Sequence, residues 1–132
     1  MATTFDVISR DNGSALHLRE QDRDYFMAEL RGLNLAAQAR VGTYMSAGLG
    51  EMFAEMAANW RGWTGAKSWS SLEGELHLSA EADRSGHVTL TVELQNGAPA
   101  VWTVTLHLVV EAGQLEAIAR AAHTFEDSVQ QS

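Results

Sequence analysis

The sequence predicts an α+β domain, a curved antiparallel sheet of six or seven strands with two helices packed on one face. Three observations lead there. Apolar and polar residues alternate over long stretches, which is the period of a strand with one solvated face. Two other stretches change to helical spacing. The links between strands are of hairpin length, so neighbouring strands run antiparallel without crossover helices.

In the first half, Phe5 to Ser9 reads as a short strand and Asp11-Asn12-Gly13 as a turn. Ala15 to Glu20 turns Leu16 and Leu18 inward, and Tyr25 to Arg31 turns Phe26, Ala28 and Leu30 inward. Leu35 to Thr43 does the same with Leu35, Ala37, Ala39 and Val41. Inward parity therefore switches between Leu30 and Leu35, which calls for a bulge or turn at Gly32 or Asn34. Leu49, Met52, Phe53, Met56, Ala57 and Trp60 then mark an amphipathic helix, with Glu51, Glu55 and Asn59 on its wet side. Trp60 completes that stripe and is expected in the core.

The second half is more regular. From Leu72 to Asp83 every even position is small or apolar and every odd one polar. His87 to Gln95 repeats the pattern with Val88, Leu90, Val92 and Leu94 inward. A two-residue loop after Asp83 would set the two apolar faces in conflict. The three-residue loop Arg84-Ser85-Gly86 reconciles them, with Asp83 opposite His87 and a glycine where φ is positive. His77 then faces Glu93. The longer turn Asn96-Gly97-Ala98-Pro99 holds the chain's only proline. The strand from Ala100 to Val110 turns Trp102, Val104, Leu106, Leu108 and Val110 inward. Pairing Gln95 with Val101 puts Glu93 opposite Thr103 and Thr89 opposite His107. Leu115, Ile118, Ala119, Ala122 and Phe125 mark a last helix of about three turns.

The order ββββα then βββα suggests a duplication with halves 1–62 and 70–128. Leu16-His17-Leu18 recurs as Leu76-His77-Leu78, and Ala47-Gly48 as Ala112-Gly113. Glu51, Phe53 and Trp60 fall against Glu116, Ile118 and Phe125. A true duplication implies two similar layers related by a pseudo-twofold axis, although such short matches also arise in any strand-rich α+β domain.

A chain of 132 residues fits a single domain. Its formal net charge of −8 disfavours binding to a phosphate backbone. Without cysteine there is no disulfide, thiolate metal site or cysteine nucleophile. No apolar run is long enough to cross a membrane, and Met1 to Asp6 lacks a basic segment before an apolar stretch; a cytoplasmic location is the expectation. No Rossmann, phosphate-loop, nucleophile-elbow or zinc-protease motif occurs, so a non-enzymatic chain without cofactor is expected. The five histidines show neither His-x-His nor His-x-x-x-His spacing, and the expected register keeps His77 and His107 apart, so they read as surface residues rather than metal ligands.

Charge is uneven. Residues 1–66 carry six Lys/Arg against eight Asp/Glu, whereas residues 67–132 carry three against nine. Glu73, Glu75, Glu81 and Glu93 share the expected wet face with Thr103 and other hydroxyl residues. Such a face attracts and orients a basic partner. Solvation alone also explains it, and a catalytic carboxylate pair is the least favoured reading. Trp63 and Trp69 lie in a Gly-rich link, where they either plug the end of a sheet or line a ligand pocket with Trp102 and Met56. Val101 and Val109 on the third strand are apolar sites through which a homodimer could form.

The run Trp60-x-Gly62-Trp63-x-Gly65-x-x-x-Trp69-x-Ser71-Leu72-Glu73-Gly74 is followed by Gly86-His87-Val88, by Trp102, and by Glu111-Ala112-Gly113-Gln114-Leu115. In this order it resembles an uncharacterised family of small acidic bacterial domains, over roughly residues 14 to 125. That resemblance implies no activity. Analogy at the level of such small acidic domains implies an antitoxin or immunity role. The expectation is therefore a protein-binding module, an immunity-type inhibitor of a basic toxin. The alternative is a small-molecule-binding domain with a Trp- and Met-lined pocket between sheet and helices.

Overall fold

The computed structural model describes residues 4–43, 48–97 and 99–130. The chain runs β1 (Thr4–Ile8), β2 (Ala15–Glu20), β3 (Tyr25–Gly32), β4 (Leu35–Gly42), α1 (Leu49–Ala58), β5 (Lys67–Ser70), β6 (Leu76–Ala82), β7 (His87–Asn96), β8 (Trp102–Glu111), a 3-10 turn (Ala112–Gln114) and α2 (Leu115–Gln130). The α+β class holds, but the single curved sheet does not. There are two antiparallel four-stranded sheets, ordered β1-β2-β3-β4 and β5-β6-β7-β8.

The extra strand, β5, lies inside the Trp-rich link, where nearby glycines and a length of only four residues hide its alternation. With β5 counted, each half runs four strands and then a helix. Leu16-His17-Leu18 and Leu76-His77-Leu78 fall on the second strand of each half. The Ala47 side of the Ala47-Gly48 match, like Ala98 in the turn, lies outside the described residues.

Local chemistry sets the registers. Asp83 accepts the His87 backbone hydrogen bond and Gly86 has φ +87°, so the three-residue hairpin forms and His77 faces Glu93. At the parity switch, Gly32 pairs with Leu35 around a two-residue turn in which Asn34 has φ 59°. The β7–β8 register differs from the expected one by two residues, because Asn96 pairs with Trp102 and the Val101 N–H donates to Asn96 O. Thr91 thus faces His107, and Glu93 faces Thr105 rather than Thr103. A slip of two keeps every side chain on its face.

Two expected boundaries change. The regular alternation from Leu72 was misleading, since Ser71 to Gly74 is a turn with Gly74 at φ +81° and Leu72 58% exposed. Helix α1 ends at Ala58, where the Asn59 N–H closes onto Glu55 O and Met56 O, and Trp60 is 55% exposed instead of buried. The expected helix alignment therefore fails at Trp60 and Phe125, because Phe125 is fully buried.

The helices do not share one face of one sheet. They pack on each other, and each reaches the first strand of the opposite half, α1 to β5 and α2 to β1. Phe125 of α2 meets Phe26 edge-on with centroids 5.4 Å apart and lies 6.5 Å from Phe5. Phe5 also meets Phe53 of α1 at 5.5 Å. These rings unite both halves in one core. Close helix packing depends on Gly50, where a Cβ would lie 2.5 Å from His123 Nδ1. Glu126 of α2 accepts the Leu49 N–H at 2.9 Å, so one helix supplies the N-terminal acceptor of the other.

Candidate functional site

The outer face of the second sheet is built by β6, β7 and β8. Its register rows are His77–Glu93–Thr105, Ser79–Thr91–His107 and Glu81–Thr89–Val109. Inner residues of these strands, such as Leu78, Leu90 and Val92, fill the core, so the polar set points outward by alternation. Glu81, Asp83, Thr89, Thr91 and His107 border a shallow recess of about 430 Å³. Thr91 Oγ1 and His107 Nδ1 share a hydrogen bond at 3.0 Å across it.

The structure divides the expected acidic surface. Glu81, Glu93 and Thr103 stand on this outer face. Glu73 and Glu75 belong to the β5–β6 turn and lean toward the first sheet, where they border a cleft of about 490 Å³ with Tyr25, Gln38, Arg40 and Asn96. Glu75 accepts from Ser71 Oγ at 2.8 Å and from the Gly42 N–H at 3.3 Å. By contrast, Glu73, Glu81 and Glu93 have no hydrogen-bond or ion-pair partner among the described residues.

Asp83 closes the tip of the outer face. The His87 N–H, then the Ser85 hydroxyl and N–H, hold its carboxyl below the usual aspartate range. These bonds shape the turn. Among the described residues no group of three or more His, Asp or Glu is placed to hold a metal ion.

The tryptophans do not converge. Trp69 is 8% exposed on edge strand β5, and Met56 is fully buried. Trp63 is half-buried and donates its indole N–H to Ala80 O at 3.2 Å, with Lys67 Nζ 5.5 Å from its ring. Trp102 packs against the core on β8, the other edge of the same sheet. Three strand spacings, about 14 Å, therefore separate Trp69 from Trp102.

Sequence reasoning missed the cleft. It joins Tyr25 and Arg40, whose guanidinium sits 4.6 Å from the tyrosine ring, to a turn more than thirty residues away. No local pattern encodes that contact between sheets.

A family described as a family of unknown function (DUF6228) matches residues 8–129. The chain belongs to that family. The matched span takes in β2 to β8, α1 and almost all of α2 but only Ile8 of β1, and both the outer face and the cleft lie within it. No curated protein and no solved structure matches the chain. Among the described residues, no helix is long and apolar enough to cross a membrane.

Proposed function

We infer that this member of the family is a non-enzymatic protein-binding module that holds a basic protein, in the manner of an immunity-type inhibitor. One observation carries the reading. The half with the acid surplus presents Glu73, Glu81 and Glu93 with no ion-pair or hydrogen-bond partner among the described residues. Unpaired carboxylates on the surface raise the association rate of a basic partner and select against acidic ones. The flanking Thr89, Thr103 and Thr105 hydroxyls are exposed and offer neutral hydrogen-bonding groups around them.

The test is a pull-down with the tagged chain from a lysate of its source at low salt, with mass spectrometry of the eluate. A stoichiometric basic protein that is lost as salt rises is the expected result. Glu81→Lys with Glu93→Lys should then slow association by about tenfold or more while leaving the fold intact. Glu75 is a poor choice for charge reversal, since its carboxylate holds Ser71 and Gly42. A partner-free eluate, or an unchanged association rate in the double variant, would refute the reading.

A further inference from the structure

The two sheets treat their edges differently. On β8 the outward backbone groups of the C-terminal half are already used. Arg10 N–H donates to Val109 O at 2.9 Å, Val109 N–H donates to Ser9 Oγ at 3.0 Å, and Asn12 Nδ2 donates to His107 O at 3.3 Å. The segment after β1 thus lies along β8 as a cover.

Among the described residues, edge strand β4 has no such cover along most of its length. Thr43 N–H donates to Asp24 O, so position 43 is a hydrogen-bonded pair with β3. Antiparallel ladders alternate, so Val41, Ala39 and Ala37 also turn their backbone groups to β3. Gly42, Arg40, Gln38 and Ala36 then turn theirs outward. The Gly42 N–H confirms that direction by donating to Glu75 Oε2. The backbone groups of Arg40, Gln38 and Ala36 have no partner among the described residues, and these three residues are exposed.

This open stretch borders the cleft of about 490 Å³ whose other wall carries Glu73 and Glu75. We propose that β4 accepts an extended basic segment of a partner protein as a fifth strand, its Lys or Arg side chains facing Glu73 and Glu75. The proposal rests on the basic-partner reading above and adds where and how the partner is gripped. Main-chain bonds to Gln38 and Arg40 supply the grip, and the carboxylates supply the selection. The β4 of a second copy, Leu35–Gly42, would bring a single basic side chain, Arg40, so the two carboxylates favour a foreign Lys- or Arg-rich segment over a second copy.

The probe is the peptide acetyl-(Thr-Lys)4-amide at millimolar concentration, added to the full chain and read by amide hydrogen exchange. Exchange at Ala36, Gln38 and Arg40 should slow at least tenfold, and acetyl-(Thr-Glu)4-amide should have no effect. Arg40→Pro removes one outward N–H and should abolish the protection at Gln38, whereas Arg40→Ala should retain it. Glu73→Gln should weaken the peptide several-fold. An unchanged amide spectrum away from β4 shows that each variant is folded. The proposal is overturned if neither peptide protects β4, if the acidic peptide protects it equally, or if protection grows with protein concentration alone. Peptide-induced changes confined to Thr91 and Glu93 would overturn strand addition yet leave the basic-partner reading standing. That reading fails separately, when the pull-down yields no basic protein.

Discussion

The outer faces of the two sheets carry the same row with opposite fates. In the first sheet, Asp6, His17, Glu29 and Gln38 lie opposite one another across four strands. In the second, the row is Ser70, His77, Glu93 and Thr105. Both set a histidine on the second strand against a glutamate on the third. The first row closes on itself. His17 Nδ1 and Asp6 share a hydrogen bond at 2.6 Å, and Glu29 accepts from Arg31 at 2.9 Å and from Gln38 at 2.7 Å. The second row has no counterpart of Arg31 or Gln38, and Glu93 has no partner among the described residues. One arrangement thus serves cohesion in one sheet and remains available to an outside charge in the other.

The most forceful way to break the comparison is to remove the core both rows stand on. Phe125→Ala should cost about 3–5 kcal/mol, because a fully buried ring is lost from between Phe5 and Phe26. Chemical denaturation should show both sheets melting in one transition, although the substitution lies in the second half. Early loss of the first sheet alone would mean that the halves are independent.

Glu29→Ala should be next, at about 1–3 kcal/mol, since Glu29 is 8% exposed and holds two donors. Its counterpart Glu93→Ala should stay within about 0.5 kcal/mol, as it removes no bond. Equal losses would erase the distinction between the rows.

Acidity sharpens it further. The Arg31 hydrogen bond first, then that of Gln38, holds the Glu29 carboxyl below the usual glutamate range, and the same contact raises Arg31. The stability from Glu29 is therefore fully present above the ordinary glutamate pKa of about 4.3 and is lost as pH falls through the lower folded value. A pH series of melting temperatures should show a shallower acid limb in Glu29→Gln. A modest effect is expected from Glu126→Gln at the α1 N-terminus, where an acceptor oxygen remains and only the favourable charge is lost, about 0.3–1 kcal/mol.

What was legible in the sequence was whatever short-range periodicity encodes. The alternation from Leu76 to Val110 and the Gly86 hairpin placed every outer residue of β6, β7 and β8 on its true face, and the two-residue register slip at Trp102 left that unchanged. Where alternation ran through a turn, as at Leu72, it misled, because only the backbone dihedral at Gly74 marks the break. The separation into two sheets was legible only through the duplication, which implies two similar layers, and not through the alternation, which pointed to a single sheet. The separation depends on β4 and β5 failing to pair across α1, which is a tertiary outcome. The division of the four glutamates followed from this: Glu81 and Glu93 obey strand parity, while Glu73 and Glu75 sit in a turn that leans on β4.

The crossing of the helices sets an order of events during translation. Phe5 and Phe26 are made early, yet the ring that covers them, Phe125, belongs to α2 near the far end of the described chain. A ribosome must complete the whole second sheet before that cover emerges. Until then the first sheet shows an incompletely shielded apolar face to the cell. Stalling before residue 115 should therefore leave the nascent chain more prone to aggregate than stalling after α2 has emerged.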